Sequence, residues 1–345
     1  MNCATTLTTK SSGFATRGTH AASTSAPPRS TTMRGGRRRS SCSGRRCRAG
    51  AGGSIGRGRT VVSDLCVLDR HDVYFSCMSP LVYFDTDCFH HFAATFQNCA
   101  LANDLRDKIL FSPVTMMEVF SHLARNWGNK VHKQIQGLHN WVVPDHALVL
   151  PWMDAATSQI GFGVKPEDDG YTKRLQADLN ACATSELPGL LDVAKGRDAE
   201  LQQVKQTYAG HFQDTVQFFR TTPLTEDAFT KVWLNGLAQR SAVPPNTRPA
   251  AEVVAALSAL HEFEFSKLKV AIHNKSYNAQ KHRNDLFDAE QLIYLGDSVL
   301  HFLTLDGGYL TKIMKSPQRC RIHRVSESVL ADAGKVEILL RQITS

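Results

Sequence analysis

The hydrophobic pattern of the chain becomes regular near residue 80. Four apolar residues, Leu81 to Phe84, lead directly into Asp85. A short continuous apolar run of this kind is typical of a buried strand in a parallel sheet. The residues that follow repeat their apolar positions at the helical spacing i, i+3, i+4 and i+7: Phe89, Phe92, Ala93 and Phe96. The pattern therefore predicts a strand that delivers a carboxylate at its C-terminal end and leads directly into a helix.

A second strand–helix unit follows about 25 residues later. Ile109 to Phe111, which follow Lys108, form another short apolar run, and residues 108–111 are therefore predicted to be a second buried strand. Ser112 and Pro113 suit the N-cap and the first turn of a helix, and this helix carries Glu118. Two strand–helix units in such close succession predict an α/β fold with a parallel sheet.

The middle of the chain, residues 125–283, has a helical pattern. Apolar positions recur at 3.6-type spacing between prolines in five stretches: residues 145–160, 172–183, 190–219, 226–238 and 250–272. A segment of this length is too long for an ordinary connection. We therefore predict an all-helical insertion at residues 125–283, within an α/β domain formed by residues 78–124 and 284–345.

The α/β pattern returns after residue 284. Residues 288–296 place Ala289, Leu292, Ile293 and Gly296 on one helical face, so we expect a helix that begins at Asp288. Residues 299–304 predict a strand, and Asp306 follows it. A short helix at residues 309–314 and a last strand at residues 320–325 complete the predicted sheet.

The positive charge of the chain lies in its first 77 residues. These contain 13 Lys and Arg against 3 Asp and Glu, whereas residues 78–345 contain 27 against 29. The overall charge of +8 is therefore no evidence that the folded part binds nucleic acid. Residues 1–60 are too poor in large apolar residues to fold, residues 61–77 mix short apolar pieces with charges, and we expect residues 1–77 to be a disordered basic leader. Three interpretations stay open: a start site assigned too far upstream of Met78, an organelle transit peptide, or an RNA-binding tail.

Cysteine usage indicates a reducing compartment. Five of the nine cysteines lie in the leader, and the other four show no metal-ligand spacing. We therefore expect a cytoplasmic protein, or an organelle-targeted one if the leader is a transit peptide. No apolar run reaches the roughly 18 residues of a transmembrane helix, so no membrane partner is expected.

Four acids occupy positions that a parallel sheet would bring together: Asp85, Glu118, Asp288 and Asp306. In a doubly wound sheet the strand ends and the neighbouring helix starts gather at one edge. Carboxylates that converge there repel one another unless cations bind, so the pattern predicts one or two Mg²⁺ or Mn²⁺ ions. Such an ion lowers the pKa of a bound water and aligns it for attack on a phosphodiester.

The segments that carry these acids resemble the PIN-domain nucleases, a family that includes VapC-type toxins. The matching pieces are residues 82–86, residues 111–118, Asp288, and residues 304–306, about a quarter of the chain with their surroundings. The resemblance implies a PIN-like (Rossmann-like) fold and a metal-dependent endoribonuclease. It also implies an RNA substrate, a possible antitoxin or other protein partner, and a possible homodimer.

The resemblance implies specific roles for the matching residues. Asp85, Glu118, Asp288 and Asp306 would hold the metal. Thr86, Ser112 and Thr304 would support them through hydroxyl or backbone hydrogen bonds. Asp285 would either cap the helix or replace Asp288 as a ligand, and the spacing favours Asp288.

Two other functions compete with the nuclease. A haloacid-dehalogenase-like phosphatase would use Asp85 as nucleophile, Asp87 as acid/base and Asp297 in its second acidic motif. A PIN-like scaffold that binds RNA or a protein without cleaving would use the same acids only as helix caps and solvated ends.

Basic residues flank two of the four acids. Arg125 and Lys130 follow Glu118, whereas Lys275, Lys281 and Arg283 precede Asp288. Cations with interleaved aromatics can follow a phosphate backbone and stack bases, so these residues are candidate RNA contacts. The alternative is an ordinary solvated helix face.

Overall fold

The structure is a computed structural model that describes residues 80–125, 127–139, 149–166, 169–244 and 246–345. The interpretations of the leader and the first part of the predicted helix at residues 145–160 fall outside these ranges. Among the helices so described, none is both long and apolar enough to cross a lipid bilayer.

A small parallel sheet forms the centre of the α/β part. It contains four strands in the order β2-β1-β3-β4, and each neighbouring pair runs parallel. The strands are β1 (Leu81–Phe84), β2 (Ile109–Phe111), β3 (Leu300–Thr304) and β4 (Ile322–Arg324). The predicted α/β class and the four predicted strands are confirmed.

Three helices follow the first two strands: α1 (Thr86–Thr95), α2 (Asn103–Arg106) and α3 (Pro113–Leu123). Helix α1 begins immediately after Asp85, whose side chain caps it by accepting a hydrogen bond from the backbone N of Cys88. Ser112 caps α3 in the same way, and Pro113 is its first residue. The predicted start of α3 at Ser112 and Pro113 is confirmed, as is the prediction that the first strand leads directly into a helix.

The middle of the chain is helical, as predicted. Its helices are α4 (Gly128–His139), α5 (Met153–Ala156), α6 (Gly170–Thr184), α7 (Leu187–Thr221), α8 (Glu226–Arg240), α9 (Ala250–Ala256) and α10 (Ser258–His273). A π-helical turn, Thr157–Gly161, follows α5. The single helix predicted at residues 250–272 is wrong, because Leu257 leaves the helical conformation (φ −114°, ψ 30°) between α9 and α10. The side chain of Gln318 accepts a hydrogen bond from the Ala259 backbone N (2.9 Å) and so caps the second helix from outside.

The helix predicted to begin at Asp288 is also wrong. Asp288 is the last residue of α11 (Arg283–Asp288), and a 3₁₀ segment, Ala289–Gly296, follows it. Residues 289–295 are all buried, so tertiary contacts decide their conformation and override the amphipathic pattern. Glu290 forms an ion pair with Arg240 at 2.8 Å.

A close backbone contact explains the glycine that ends this 3₁₀ segment. A Cβ atom on Gly296 would lie 2.5 Å from the carbonyl oxygen of Ala256. The segment therefore passes against the C-terminal end of α9 at a distance that only glycine permits.

The chain ends with α12 (Gly308–Lys312), a 3₁₀ turn (Pro317–Arg321), α13 (Glu327–Leu330) and α14 (Ala333–Thr344). The sequence analysis did not predict α13 and α14. Helix α14 packs against β1 and α2. A continuous hydrophobic core contains residues of the sheet, its flanking helices and the middle helices. The division into an α/β domain and a helical insertion stays a prediction.

Candidate active site at the carboxyl end of the sheet

Two of the predicted acids follow neighbouring strands. Phe84 at the end of β1 pairs with Leu303 of β3. The backbone N of Asp85 donates to the carbonyl oxygen of Leu303 at 3.0 Å, and Asp306 lies just beyond the end of β3. Because the strands are parallel, both acids belong to the same edge of the sheet.

Asp85 is held by hydrogen bonds on both carboxylate oxygens. Its Oδ1 accepts from the backbone N of Cys88 at 2.7 Å. Its Oδ2 accepts from the Thr304 hydroxyl and from the backbone N of Leu305 at 3.2 Å. Burial raises the pKa of Asp85, while the hydrogen bonds from Thr304 and Cys88 act in the opposite direction. Thr304 therefore holds Asp85, which is the supporting role that the resemblance implies for Thr304.

Glu118 is held by donors from two other elements. Its Oε2 accepts a hydrogen bond from the Thr86 hydroxyl at the start of α1. Its Oε1 accepts from the ammonium of Lys205 on α7 at 2.6 Å. Thr86 therefore supports Glu118 directly, and both carboxylate oxygens are engaged.

Ser112 supports the same helix indirectly. Its fully buried hydroxyl accepts from the backbone N of Thr115 at 3.1 Å and lies 3.0 Å from Oε1 of Gln291. The Thr115 hydroxyl donates to the carbonyl oxygen of Phe84 at 2.7 Å. These bonds hold the N-terminus of α3 against the C-terminal end of β1. They thereby fix the position of Glu118, which lies on α3.

Asp288 differs from the other acids because one of its oxygens lacks a partner. Within the described ranges, its Oδ1 is buried and has no hydrogen-bond partner. Burial raises the pKa of Asp288 well above its usual range, and the negative charge of Glu118 raises it further, whereas Lys205 opposes the rise. Asp285 faces solvent and accepts a hydrogen bond from Lys267 at 2.6 Å. Asp285 is therefore committed to a surface ion pair, and Asp288 is the acid that lies with the others.

Asp306 is the exposed member of the group. Its Oδ1 accepts from the backbone N of Gly308 at 2.6 Å, and its own backbone N donates to the Thr304 hydroxyl at 2.9 Å. Thr304 therefore contacts two of the acids, Asp85 through its hydroxyl proton and Asp306 through its hydroxyl oxygen.

The buried phenol of Tyr309 contacts the backbone of one of the acids. Its hydroxyl donates to the carbonyl oxygen of Asp288 at 3.2 Å. Burial raises the pKa of Tyr309 well above its usual range, and four negative charges raise it further. Those charges belong to the four predicted site acids: Asp288, Asp85, Asp306 and Glu118. The four carboxylates thus lie within electrostatic reach of one buried hydroxyl.

The acids do not form a ready-made metal site in this conformation. Across the part of the chain that the structure covers, no three His, Cys, Asp or Glu side chains converge into a set that could hold an ion. Asp85, Glu118 and Asp306 are instead oriented by the protein donors described above. The acids share one edge and one electrostatic field, and a bound ion would require at least one carboxylate to turn.

Lys205 is a member of the site that the sequence analysis missed. Its side chain is buried, with 4% of the residue exposed, and its Nζ also contacts Oδ1 of Asn284 at 3.1 Å. A signal for it exists in the sequence. Leu201, Lys205 and Ala209 follow one another at i, i+4 and i+8 along the buried stripe of α7, so a lysine interrupts an apolar face.

The basic residues proposed as RNA contacts divide into two groups. Arg125 pairs with Asp198 at 3.0 Å, and Arg283 donates to Gln202 at 3.1 Å, so both are engaged by α7. The others face solvent: Lys130, Lys275 and Lys281. The ammonium of Lys130 lies 5.1 Å from the ring centre of Trp127, which is 58% exposed. Trp127 and Lys130 together offer a stacking surface with a cation beside it.

Asp297, the second acid of the phosphatase alternative, lies at the other edge of the sheet. It precedes β3 and accepts a hydrogen bond from the backbone N of Val299 at 3.0 Å. The five residues of β3 separate it from the edge that carries Asp85, a span of roughly 15 Å. Asp297 is therefore not available to act with Asp85.

Comparison of the chain with protein-family models, curated proteins and solved structures found no match. Its function therefore has to be inferred from the sequence pattern and from the geometry at the sheet edge.

Proposed function

We propose that the chain is a metal-dependent, PIN-type endoribonuclease that hydrolyses RNA phosphodiester bonds. The observation that best supports this proposal is the hydrogen bonding shared among acids from separate elements: Thr304 contacts both Asp85 and Asp306, and Thr86, the residue after Asp85, donates to Glu118. Carboxylates placed together at the carboxyl edge of a parallel sheet are costly to keep unless they bind a cation.

The oxygen chemistry of these side chains suits Mg²⁺ or Mn²⁺, and at least one carboxylate would turn from its present orientation for them to share an ion. Both ions prefer oxygen ligands, and Asp85, Asp288 and Asp306 would hold one, with Glu118 beside it. The buried Oδ1 of Asp288 has no partner among the described residues, and a cation would satisfy it. Asp306 is exposed and so has the most freedom to turn toward an ion. When bound, the metal supplies a water of lowered pKa and neutralises charge on the phosphate.

The surrounding residues orient the site and contact the substrate. Thr304 and Thr86 hold the carboxylates of Asp85 and Glu118 in fixed directions. Lys130, Lys275 and Lys281 would bind the phosphate backbone, and Trp127 would stack on a base. A cytoplasmic location, an antitoxin or other protein partner and a homodimer stay proposals that depend on the resemblance.

The two alternatives have less support. A haloacid-dehalogenase-like phosphatase needs a second acidic motif near Asp85, and Asp297 lies at the opposite edge. A non-catalytic PIN-like module has no need of a buried, unpartnered carboxylate oxygen at Asp288, because such an atom lowers stability.

Cleavage of a labelled single-stranded RNA tests the proposal. The wild-type chain is expected to cleave this RNA in the presence of Mn²⁺ or Mg²⁺. Cleavage is expected to stop when EDTA removes the ion. Asp288→Asn removes the unpartnered carboxylate without changing its size, and we expect the rate to fall by ~100-fold or more. Asp285→Asn is the matched control, because Asp285 is three residues away but paired with Lys267, and its rate should stay close to wild type.

Four outcomes would contradict the nuclease. RNA cleavage that persists in EDTA would overturn the nuclease proposal, and so would an unchanged cleavage rate in Asp288→Asn. Hydrolysis of p-nitrophenyl phosphate that is lost in Asp85→Asn would favour the phosphatase. Metal-independent RNA binding with no cleavage would favour the non-catalytic module.

A further inference from the structure

The site contains a buried positive charge contributed by the middle of the chain. Lys205 lies on the long helix α7, and only 4% of the residue is exposed. A buried ammonium is costly unless it is paired and hydrogen-bonded. The partners of Lys205 therefore indicate what the lysine does.

Those partners lie on α3, which carries Glu118, and on α11, which ends in Asp288. The ammonium contacts Glu118 Oε1 at 2.6 Å and Asn284 Oδ1 at 3.1 Å. It also lies 5.4 Å from the ring centre of Phe287, the residue before Asp288. Lys205 is thus fixed between the acid of α3 and the helix that ends in Asp288.

A second lysine, Lys267, forms an ion pair with a different acid. Lys267 donates to Asp285 at 2.6 Å, and Asp285 is half-exposed at the rim. Among the residues that the structure describes, Lys205 pairs with a member of the acidic group, while Lys267 pairs with an acid outside it.

The position of Lys205 limits how many metal ions the edge can take. Two divalent cations would neutralise the four carboxylates without any further positive charge. With an ammonium already 2.6 Å from Glu118, a second ion beside Glu118 would meet a fixed positive charge. The other oxygen of Glu118 is occupied by the Thr86 hydroxyl. The unpartnered oxygen, by contrast, belongs to Asp288.

We propose that this edge binds a single divalent ion beside Asp288, and that the ammonium of Lys205 takes the place of a second ion beside Glu118. The inference rests on the proposed function, since it specifies the metal content of the same site. Lys205 acts as a positioning residue that holds Glu118 and supplies the second positive charge.

Counting bound Mn²⁺ on the full chain tests the inference. Equilibrium dialysis against MnCl₂ followed by elemental analysis is expected to give one Asp288-dependent ion per wild-type chain, defined by its loss in Asp288→Asn. Lys205→Met keeps a long apolar stem and removes the charge, and we expect two ions per chain. Lys267→Met is the matched control and should bind one. Paramagnetic resonance would show an isolated Mn²⁺ signal in the wild type and a coupled pair in Lys205→Met.

The outcomes separate the two proposals. Two ions in the wild type, or one ion in a folded Lys205→Met variant, would overturn the single-ion inference and leave the nuclease intact. No Asp288-dependent ion in the wild type would overturn both. If Lys205→Met does not fold, the wild-type count together with Lys205→Arg, expected to bind one ion, still decides the question.

Discussion

At the scale of single residues, Asp288 is the member of the site whose surroundings are least favourable for the stability of the fold. Its Oδ1 is buried without a partner, and Glu118 adds a repulsive charge. Unfavourable groups of this kind are found at functional sites, where the arrangement serves a ligand rather than stability. Stability and function should therefore oppose each other at this position.

The stability of Asp288→Asn in EDTA is a direct consequence. The folded-state pKa of Asp288 is raised above its unfolded value, so its favourable contribution is present at low pH and is lost as pH rises through the folded pKa. At pH 8, Asp288→Asn should therefore have a free energy of unfolding about 1–3 kcal/mol above that of wild type, the usual cost of an unsatisfied buried group, and should unfold at a higher temperature.

Differential scanning fluorimetry at pH 8 and pH 5 measures this difference. The gain should shrink at pH 5, because the wild-type carboxyl is then closer to its neutral form. Asp285→Asn, which removes a surface ion pair with Lys267, is the control and should give no gain. An Asp288→Asn variant that is less stable than wild type at pH 8 would contradict the assignment of an unpartnered carboxylate.

At the scale of elements, the start of α3 determines where Glu118 lies. The buried hydroxyl of Ser112 caps the helix through Thr115 N and contacts Gln291 of the 3₁₀ segment. One hydroxyl thus joins the helix that carries Glu118 to the segment that follows Asp288.

Ser112→Ala should be costly for this reason. It removes an N-cap and leaves the Gln291 oxygen short of a partner, so we expect a loss of about 1–2 kcal/mol in the free energy of unfolding. Ser326→Ala is a matched control, because Ser326 precedes α13 but its side chain makes no capping bond there. Urea denaturation of both variants measures the difference, and equal losses would show that the Ser112 cap has no special role.

The errors of prediction at this scale have a common cause. The break at Leu257 and the 3₁₀ conformation after Asp288 depend on Gln318 and Arg240, which are distant in sequence. Local periodicity contains no information about such partners. Helix α14, in contrast, could have been predicted, because its buried residues Val336, Leu340 and Ile343 have helical spacing.

At the scale of the whole molecule, the sequence predicted the parallel sheet and the two acids that follow its strands, whereas the cation beside Glu118 was not predicted. The strands are short buried runs whose ends carry Asp85 and Asp306, and sequence shows both features directly. The pairing of Lys205 with Glu118 depends on how α7 packs against α3. That packing is a property of the folded chain, and only the lysine on the apolar stripe of α7 hints at it.

The most direct test of the proposed metal site is an anomalous difference map from crystals of the chain soaked in MnCl₂. The expected result is one peak within coordination distance of Asp288 Oδ1 and of at least one oxygen of Asp85 or Asp306, at about 2.0–2.3 Å. A map with no peak among these carboxylates, at a Mn²⁺ concentration that supports RNA cleavage, would contradict the proposed site.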